Sequence, residues 1–297
     1  MTLSVWVSKK EVSMTMHENR VKVLRSEMER VQGYLAGLPE IAWTEQSACD
    51  LWEVRHVVAH LSGVSEFYAT TVTRGLQGDT SAPEGRPDPG TATGASSGDR
   101  IAQGAIANAE MLGDQLLATL TERDSQLVSV LAGLAPENLE TPCYHPGGIV
   151  PAGNFIDLRL KELALHEWDV RSPQDPEAGL SGACLPSIMI LLANSLASGS
   201  LPWAFWPGPS LANPVRYRFD VTRPVPIRVD IAVSGDKVRL EDAGDSNADV
   251  TFRCDTETFL LLTNGRIATA PAIAAGRLEV EGDSQVAADF GQWFKGI

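Results

Sequence analysis

The sequence lacks long apolar segments. No uninterrupted apolar run in its 297 residues approaches the ~20 residues that a membrane-spanning helix needs. The first twenty residues, MTLSVWVSKKEVSMTMHENR, have no apolar core behind a basic tip and no small-residue cleavage site, which a secretory signal would have. We therefore expect a cytoplasmic protein with no membrane partner.

Basic side chains are scarce. The chain has 24 lysines and arginines against 38 aspartates and glutamates, which gives a formal net charge of −14. A surface with this excess of negative charge repels phosphate backbones and cannot gain affinity by releasing their counterions. Nucleic-acid binding is therefore disfavoured, and a small-molecule substrate is the expected partner. The composition is compatible with a monomer or a homodimer.

Cysteines are few and widely separated. Cys49, Cys143, Cys184 and Cys254 form no CxxC pair, so their spacing suggests neither a disulfide scaffold nor a thiolate zinc site. Cys143 could act as a nucleophile only if its pKa were depressed, and no lysine or arginine is adjacent in sequence to stabilise a thiolate. We interpret the four as reduced, mostly structural thiols.

What is present indicates a globular protein of two domains. Hydrophobic residues make up 43% of the chain and charged residues 21%, which are ordinary values. Apolar positions have helical spacing from about 18 to 200, whereas short β-rich runs begin at 215. The predicted fold class is α+β, with a four-helix bundle domain over 17–200 and a smaller mixed α/β domain over 213–297. Trp203 and Trp206 are expected to anchor the linker between them.

The expected elements follow this division. We predict helices over 17–38, 53–76, 99–134, 154–171 and 186–197, with a mobile surface connection rich in Gly, Pro and Ser over 77–98. In the second domain, VRYRFDV, VPIRVDIAV, KVRLEDA and ADVTFRC alternate with period two and predict an antiparallel sheet. A short helix in DTETFLLLTNG, a strand in GRLEVEGD and a helix in SQVAADFGQWFKG are expected to follow.

Histidines are also scarce, and of the five in the chain two have informative surroundings. His60 lies on the apolar stripe of the second helix and is expected to point inward. On the fourth helix Glu162 and His166 are four residues apart and Asp169 is three further on, so the three share a face. Glu162 and His166 could chelate one divalent ion with His60 as the third ligand, and Asp169 could orient His166 or hold a nearby backbone group.

The spacing of these residues in the sequence does not by itself establish a metal site. A glutamate and a histidine four apart often occur by chance on solvated helix faces, and an inward histidine is commonly a core residue bonded to a carbonyl. His56 and His60 are also four apart and form a rival pair without a carboxylate, although His56 is expected to be solvated or to support a ligand. His145 is expected to be a loop histidine that could line the mouth of a site.

The segments DLWEVRHVVAHL and ELALHEWDVR together resemble the mycothiol-dependent maleylpyruvate isomerase family, within the wider DinB-like group of metal-binding bundles. The resemblance covers nearly the whole chain, because ADVTFRCDTETFLLLTNGR and GRLEVEGDSQVAADF are similar to the sterol-carrier-like domain that accompanies this bundle. Two departures, the 77–98 insertion and about fifteen extra N-terminal residues, could alter the substrate mouth.

The resemblance implies zinc, or another divalent metal, bound by His60, Glu162 and His166, with mycothiol as the thiol cofactor. It also implies that Arg266 faces the zinc as a catalytic residue that holds a substrate carboxylate, although an arginine after a helix-ending Asn-Gly can simply be solvated. The second domain is then expected to close over the metal cleft.

Three classes of function follow. The first is a metal- and thiol-dependent enzyme in which the thiolate adds to an unsaturated or electrophilic small molecule. Such an enzyme is an isomerase if the thiol is recovered and an S-transferase if a thioether remains. The second is a sterol-carrier-like protein that binds an apolar ligand. The third is a metal-bearing regulator or a relative that has lost its activity.

Overall fold

A computed structural model describes residues 9–92, 94–198, 204–244 and 247–295. Trp203, one of the two expected linker anchors, lies outside the described residues. The chain forms two compact units. The first comprises Met1–Ser47, Leu51–Ala92 and Gln103–Glu167, and the second comprises Ala48–Asp50, Thr93–Ala102 and Trp168–Ile297. The predicted domain limits, 17–200 and 213–297, remain predictions.

The first two thirds of the chain are helical, as the spacing of apolar residues predicts. The helices are α1 (Lys9–Ala36), α2 (Val54–Leu76), α3 (Gly94–Leu112), α4 (Leu116–Ala132), α5 (Phe155–Arg171) and α6 (Leu185–Ser198). Between α4 and α5 lies a hairpin of β1 (Pro142–His145) and β2 (Gly148–Pro151), which was not predicted. Strands of four residues are too short to show a period in the sequence.

The prediction of one helix over 99–134 is wrong. A 3-10 turn at Gly113–Gln115 separates α3 from α4, and Gly113 has φ of +47°. That left-handed conformation is open to glycine at little cost and interrupts a right-handed helix. Apolar residues can remain three and four positions apart on both sides of such a break. The pattern of apolar residues therefore did not reveal it.

The insertion after α2 is attached to the hairpin. The Tyr144 hydroxyl donates to the carbonyl of Pro87 at 2.6 Å, and the amide of Gly90 donates to the carbonyl of Pro146 at 3.0 Å. The guanidinium of Arg86 lies 4.8 Å from the ring centroid of Phe67. The expectation that all of 77–98 is an unpacked connection is therefore wrong: α3 starts within it, and its earlier part makes specific contacts.

Four helices of the first unit pack pairwise around one core. Helix α4 contacts both α1 and α2. Helix α5 is joined to α1 by the ion pairs Arg20–Asp157 and Arg30–Glu167, and to α2 through Arg159. Apolar side chains fill the interior, among them Leu24, Val57, Leu61, Leu120, Leu127 and Leu160, each at most 1% exposed. Facing positions on α2 and α5 are thus brought together.

The second unit contains a five-stranded sheet. Its elements are β3 (Val215–Val221), β4 (Ile227–Val233), β5 (Val238–Asp242), β6 (Val250–Cys254), α7 (Thr256–Thr263), α8 (Thr269–Ala274), β7 (Glu279–Gly282) and α9 (Ser284–Trp293). The spatial order is β5-β4-β3-β6-β7. The prediction of an antiparallel sheet is wrong in one respect, because β3 and β6 pair in parallel with Phe219 opposite Phe252. Period-two alternation does not report strand direction.

Helices cover one face of this sheet. Phe219 and Phe252 project from the sheet and meet Phe259 of α7 and Phe290 of α9 at ring centroid distances of 5.0–5.6 Å. Trp206 is held in this unit, with its amide donating to the carbonyl of Trp293 at 2.8 Å. The mixed helix and sheet architecture confirms the predicted α+β class.

Within the part of the chain that the structure describes, none of the helices is both long enough and apolar enough to cross a membrane.

Close packing of α2 on the hairpin yields a stability prediction. A Cβ added at Gly75 would lie 2.4 Å from Cys143 Sγ and 2.9 Å from the carbonyl oxygen of Pro142. Gly75→Ala should therefore lower the free energy of unfolding by ~1–3 kcal/mol, as measured by urea denaturation. The control Gly104→Ala has open space around its new methyl group and should raise the stability by ~0.5–1 kcal/mol. A Gly75→Ala variant as stable as the parent would contradict the packing.

Candidate metal centre

His60, Glu162 and His166 converge in the first unit, as the sequence predicts. His60 Nε2 lies 3.1 Å from Glu162 Oε2, and His166 Nε2 lies 3.4 Å from the same oxygen. The three ligand atoms are all within 4.8 Å of one another. Two atoms that bind one tetrahedral ion at ~2.1 Å lie about 3.4 Å apart. The donor atoms therefore have a spacing that suits one shared divalent ion.

Two helices hold these side chains. On α5 the spacing of four residues sets Glu162 and His166 one above the other, and the apolar stripe of α2 carries His60 toward them. The side chains are 16%, 24% and 10% exposed for His60, Glu162 and His166 respectively. The cluster is thus shielded by the protein and remains in contact with solvent.

The charge state of the cluster suits a metal. Burial lowers the pKa of His60, although the hydrogen bond to Glu162 opposes this effect. Burial by itself raises the pKa of Glu162, but the hydrogen bonds and charges of His166 and His60 outweigh it and hold that pKa well below its usual value. Glu162 is therefore a carboxylate at neutral pH. Carboxylate oxygens and imidazole nitrogens are among the ligand atoms that zinc binds in proteins.

Trp52 forms part of the same site and was not predicted to do so. Its ring centroid lies 5.0 Å from that of His60 and 5.9 Å from that of His166. The indole is almost fully buried and covers both imidazoles on one side, which limits their rotation. The sequence does place Trp52 directly before the N-cap residue of α2, the helix that carries His60, and this proximity could have indicated its role.

A buried ion pair sets the register of the helices that carry the ligands. Arg159, which is fully buried, donates to the carbonyl of Leu61 at 3.0 Å and to Asp124 of α4 at 2.8 Å. Asp124 also accepts hydrogen bonds from Ser65 and from Gln32 of α1. Because Leu61 follows His60 and Arg159 precedes Glu162 by one turn, this network fixes the two candidate ligands relative to each other.

Asp169 and Arg266 are joined in the second unit. Asp169, on the last turn of α5, receives hydrogen bonds from Arg266 Nε at 2.8 Å and Nη2 at 2.9 Å. Arg266 follows α7 and also donates from Nη1 to the carbonyl of Asn264 at 3.0 Å. The arginine is therefore bonded and largely buried, and no sequence pattern predicted this pair.

His56, the rival ligand, is used by the start of α2. Its Nδ1 accepts the amide of Glu53 at 3.1 Å, while the Glu53 side chain accepts a backbone N–H of the first turn, so the two residues form a capping box. The His56 ring is buried, whereas a solvated ring was one of the two expectations from the sequence. Burial lowers the pKa of His56, which keeps the ring neutral and able to accept this bond at physiological pH.

The hairpin carries the remaining candidates. His145 Nδ1 accepts the amide of Gly147 at 3.1 Å, and burial lowers the pKa of His145 to about 4. Burial raises the pKa of the Cys143 thiol to about 11. At neutral pH His145 is uncharged and Cys143 is a thiol, so neither has the charge state of an activated nucleophile or general acid.

Family models match both parts of the chain. The mycothiol maleylpyruvate isomerase N-terminal domain matches residues 24–171, and the SCP-2 sterol transfer family matches residues 212–295. The chain belongs to the mycothiol maleylpyruvate isomerase family. A comparison with curated proteins found no match.

Two solved structures share the family fold over most of the chain. A crystal structure of the mycothiol-dependent maleylpyruvate isomerase has a TM-score of 0.55 at 14% identity and covers 84% of this chain and 90% of that one. A histidine-to-alanine mutant of the isomerase has a TM-score of 0.57 at 12% identity, covering 89% and 92%. At this identity the likeness shows the fold, and the activity has to be argued from the site.

The buried ion pair predicts a strong dependence of stability on both of its partners. Asp124→Asn should lower the free energy of unfolding by ~3–5 kcal/mol, because Arg159 would be left as a buried charge without its counterion. The double variant Asp124→Leu/Arg159→Met should cost much less than the sum of the two single changes. Urea denaturation of the parent, Asp124→Asn, Asp124→Leu, Arg159→Met and the double variant measures the difference. The prediction would be refuted if the effects of Asp124→Leu and Arg159→Met on the free energy of unfolding were additive, or if Asp124→Asn lowered that free energy by less than about 1 kcal/mol.

Proposed function

We propose that the protein is a zinc- and mycothiol-dependent enzyme of the maleylpyruvate isomerase type. The observation that carries the proposal is the convergence of His60 and His166 on one carboxylate oxygen of Glu162. Family membership supports the thiol cofactor, since mycothiol is named for both the matched domain and the similar structures.

His60, Glu162 and His166 would hold the ion, and Trp52 would restrict both imidazoles. Zinc at such a site lowers the pKa of a bound thiol, so that a thiolate is available at neutral pH. With three protein ligands, a position is left for the thiol. Glu162 is ionised without the metal, so this carboxylate need not lose a proton when the ion binds.

The isomerisation needs no other reagent. A thiolate supplied by mycothiol would add to one carbon of the cis double bond, with the electron pair of that bond moving to the conjugated carbonyl oxygen, so that the central carbon–carbon bond becomes single and can rotate. Return of the electron pair would break the carbon–sulfur bond, re-form the double bond in the trans arrangement and release the thiolate unchanged.

Arg266 is proposed to bind the substrate carboxylate. A guanidinium offers paired N–H donors in a plane, which match the two oxygens of a carboxylate better than an ammonium does. Its bonds to Asp169 and to the carbonyl of Asn264 fix the plane of the group before a ligand arrives.

The fate of the thiol separates isomerase from S-transferase. Incubation with mycothiol and maleylpyruvate should give fumarylpyruvate with all of the thiol recovered, as measured by mass spectrometry and thiol titration. Stoichiometric loss of thiol into a thioether would instead assign S-transfer. Absence of both products with bound metal would reject the enzyme proposal for these reactants.

Metal content tests the ligand set directly. Protein purified without added metal should contain about one divalent ion per chain by elemental mass spectrometry, with zinc as the expected ion. His60→Ala and His166→Ala should each reduce that content severely. His56→Ala is the matched control and should retain the ion, since His56 caps α2. Parent stoichiometry in His166→Ala would end the proposal for this site.

Arg266 can be tested separately from the metal. Arg266→Ala should keep the metal content and reduce kcat/KM for a carboxylate substrate by ~10- to 100-fold, the value of a lost charge-assisted hydrogen bond of ~1.5–3 kcal/mol. Arg266→Lys should restore little of this, because an ammonium cannot reproduce the planar pair of donors. Full activity in Arg266→Ala would remove Arg266 from the mechanism.

A further inference from the structure

The Asp169 carboxylate is fixed from several directions within the second unit. Besides the two bonds from Arg266, the thiol of Cys49 donates to Oδ2 at 3.2 Å, and the amide of Ala48 donates to the backbone carbonyl of Asp169 at 2.8 Å. The Asp169 side chain is fully buried, and that of Arg266 is 9% exposed. A buried carboxylate held in this way can orient a mobile arginine.

We infer that Asp169 is the positioning residue for Arg266: it fixes the plane of the guanidinium that binds the substrate carboxylate. The inference rests on the proposed function of Arg266. Asp169 touches no reacting atom in this role; it acts through the arginine.

The contact fixes the plane of the guanidinium. Nε and Nη2 both donate to Asp169, so the edge that they form is occupied by the protein. The guanidinium plane is therefore set by the plane of the Asp169 carboxylate. On the Nη1 side the bond to the carbonyl of Asn264 adds a second constraint on the plane. A guanidinium fixed in one plane restricts the orientation of the bound acid.

Positioning matters here because Arg266 belongs to no helix or strand. It lies in the connection between α7 and α8, directly after Gly265, whose φ of +67° ends α7. A long side chain on such a connection has many rotamers, and ordering it costs conformational entropy. Asp169 supplies that order before the substrate binds. The order matters because misplacing a substrate-binding group by about 1 Å can lower the rate 100-fold.

The chain contains a matched pair that separates positioning from stability. Arg218 and Asp230 also form a buried two-bond ion pair in the second unit, with Nε and Nη2 donating at 2.8 and 3.0 Å. Its aspartate is fully buried and its arginine side chain is 9% exposed, as in the Asp169 pair. The Arg218 pair lies between strands β3 and β4 and has no part in the proposed reaction.

The test is a double-mutant cycle of Asp169→Asn and Arg266→Ala on the metal-loaded protein, with Asp230→Asn as control. Metal content, urea stability, kcat and KM for maleylpyruvate with mycothiol are measured in each variant. Asp169→Asn should retain the metal, lower kcat/KM by ~10- to 100-fold in the parent and change it by less than ~2-fold when Arg266 is already alanine. Asp230→Asn should lose stability with kcat/KM within ~2-fold of the parent.

Two results would overturn the inference. If Asp169→Asn lowers activity equally with and without Arg266, or lowers metal content, then Asp169 acts through the metal or its ligands. If Asp230→Asn loses as much activity as Asp169→Asn at equal loss of stability, then the role of Asp169 is structural. Asp169→Glu, which keeps the charge and displaces it by one methylene, should restore less than full activity.

A chemical readout keeps the inference testable if the parent protein does not turn over maleylpyruvate, an outcome that refutes the proposed function alone. Phenylglyoxal modifies arginine, and the modified peptide is quantified by mass spectrometry. Asp169→Asn should raise the modification rate of Arg266 at least ~5-fold and leave that of Arg277 unchanged. An unchanged rate at Arg266 would show that Asp169 does not hold the guanidinium.

Discussion

The buried pair of Arg159 and Asp124 is the constraint on which the candidate metal centre depends. Each charge alone would be very costly in the interior, so the two are stable only when α5 and α4 hold them together. The same guanidinium also takes the carbonyl of Leu61 on α2. One residue thereby fixes three helices, and the register it imposes brings His60 opposite Glu162. A polar interaction in the core thus specifies the geometry that apolar packing alone would leave loosely defined.

Within the site, Glu162 serves as the common partner of two imidazoles. A partly buried carboxylate needs donors to compensate for lost water, and His60 and His166 lie within reach of one of its oxygens. The group that would contribute negative charge to a cation is therefore stable in the protein without one. Trp52 covers the imidazoles on one side. The centre is organised by the chain itself, and an ion would enter a nearly formed set of ligands.

Sequence analysis was most successful where the information is local. The spacing of Glu162 and His166 and the inward position of His60 follow from helical geometry, and the structure brings the three together. The break at Gly113, the parallel pairing of β3 with β6 and the hairpin were missed, since short-range periodicity does not encode them. The roles of Trp52 and Arg159, and the bond between Asp169 and Arg266, depend on residues far apart in the chain. Such contacts exist only after the elements have packed, so a single sequence cannot show them.

The division of α5 has a consequence for biosynthesis. Its last turn, with Trp168 and Asp169, belongs to the second unit, and so do the early stretches 48–50 and 93–102. The ribosome releases Asp169 long before its partner Arg266, which is 97 residues further along the chain. During that interval the carboxylate lacks the guanidinium that compensates its charge in the folded protein, while the other turns of the helix can already fold. Expression of residues 1–171 alone would therefore produce a protein in which this carboxylate lacks its arginine partner.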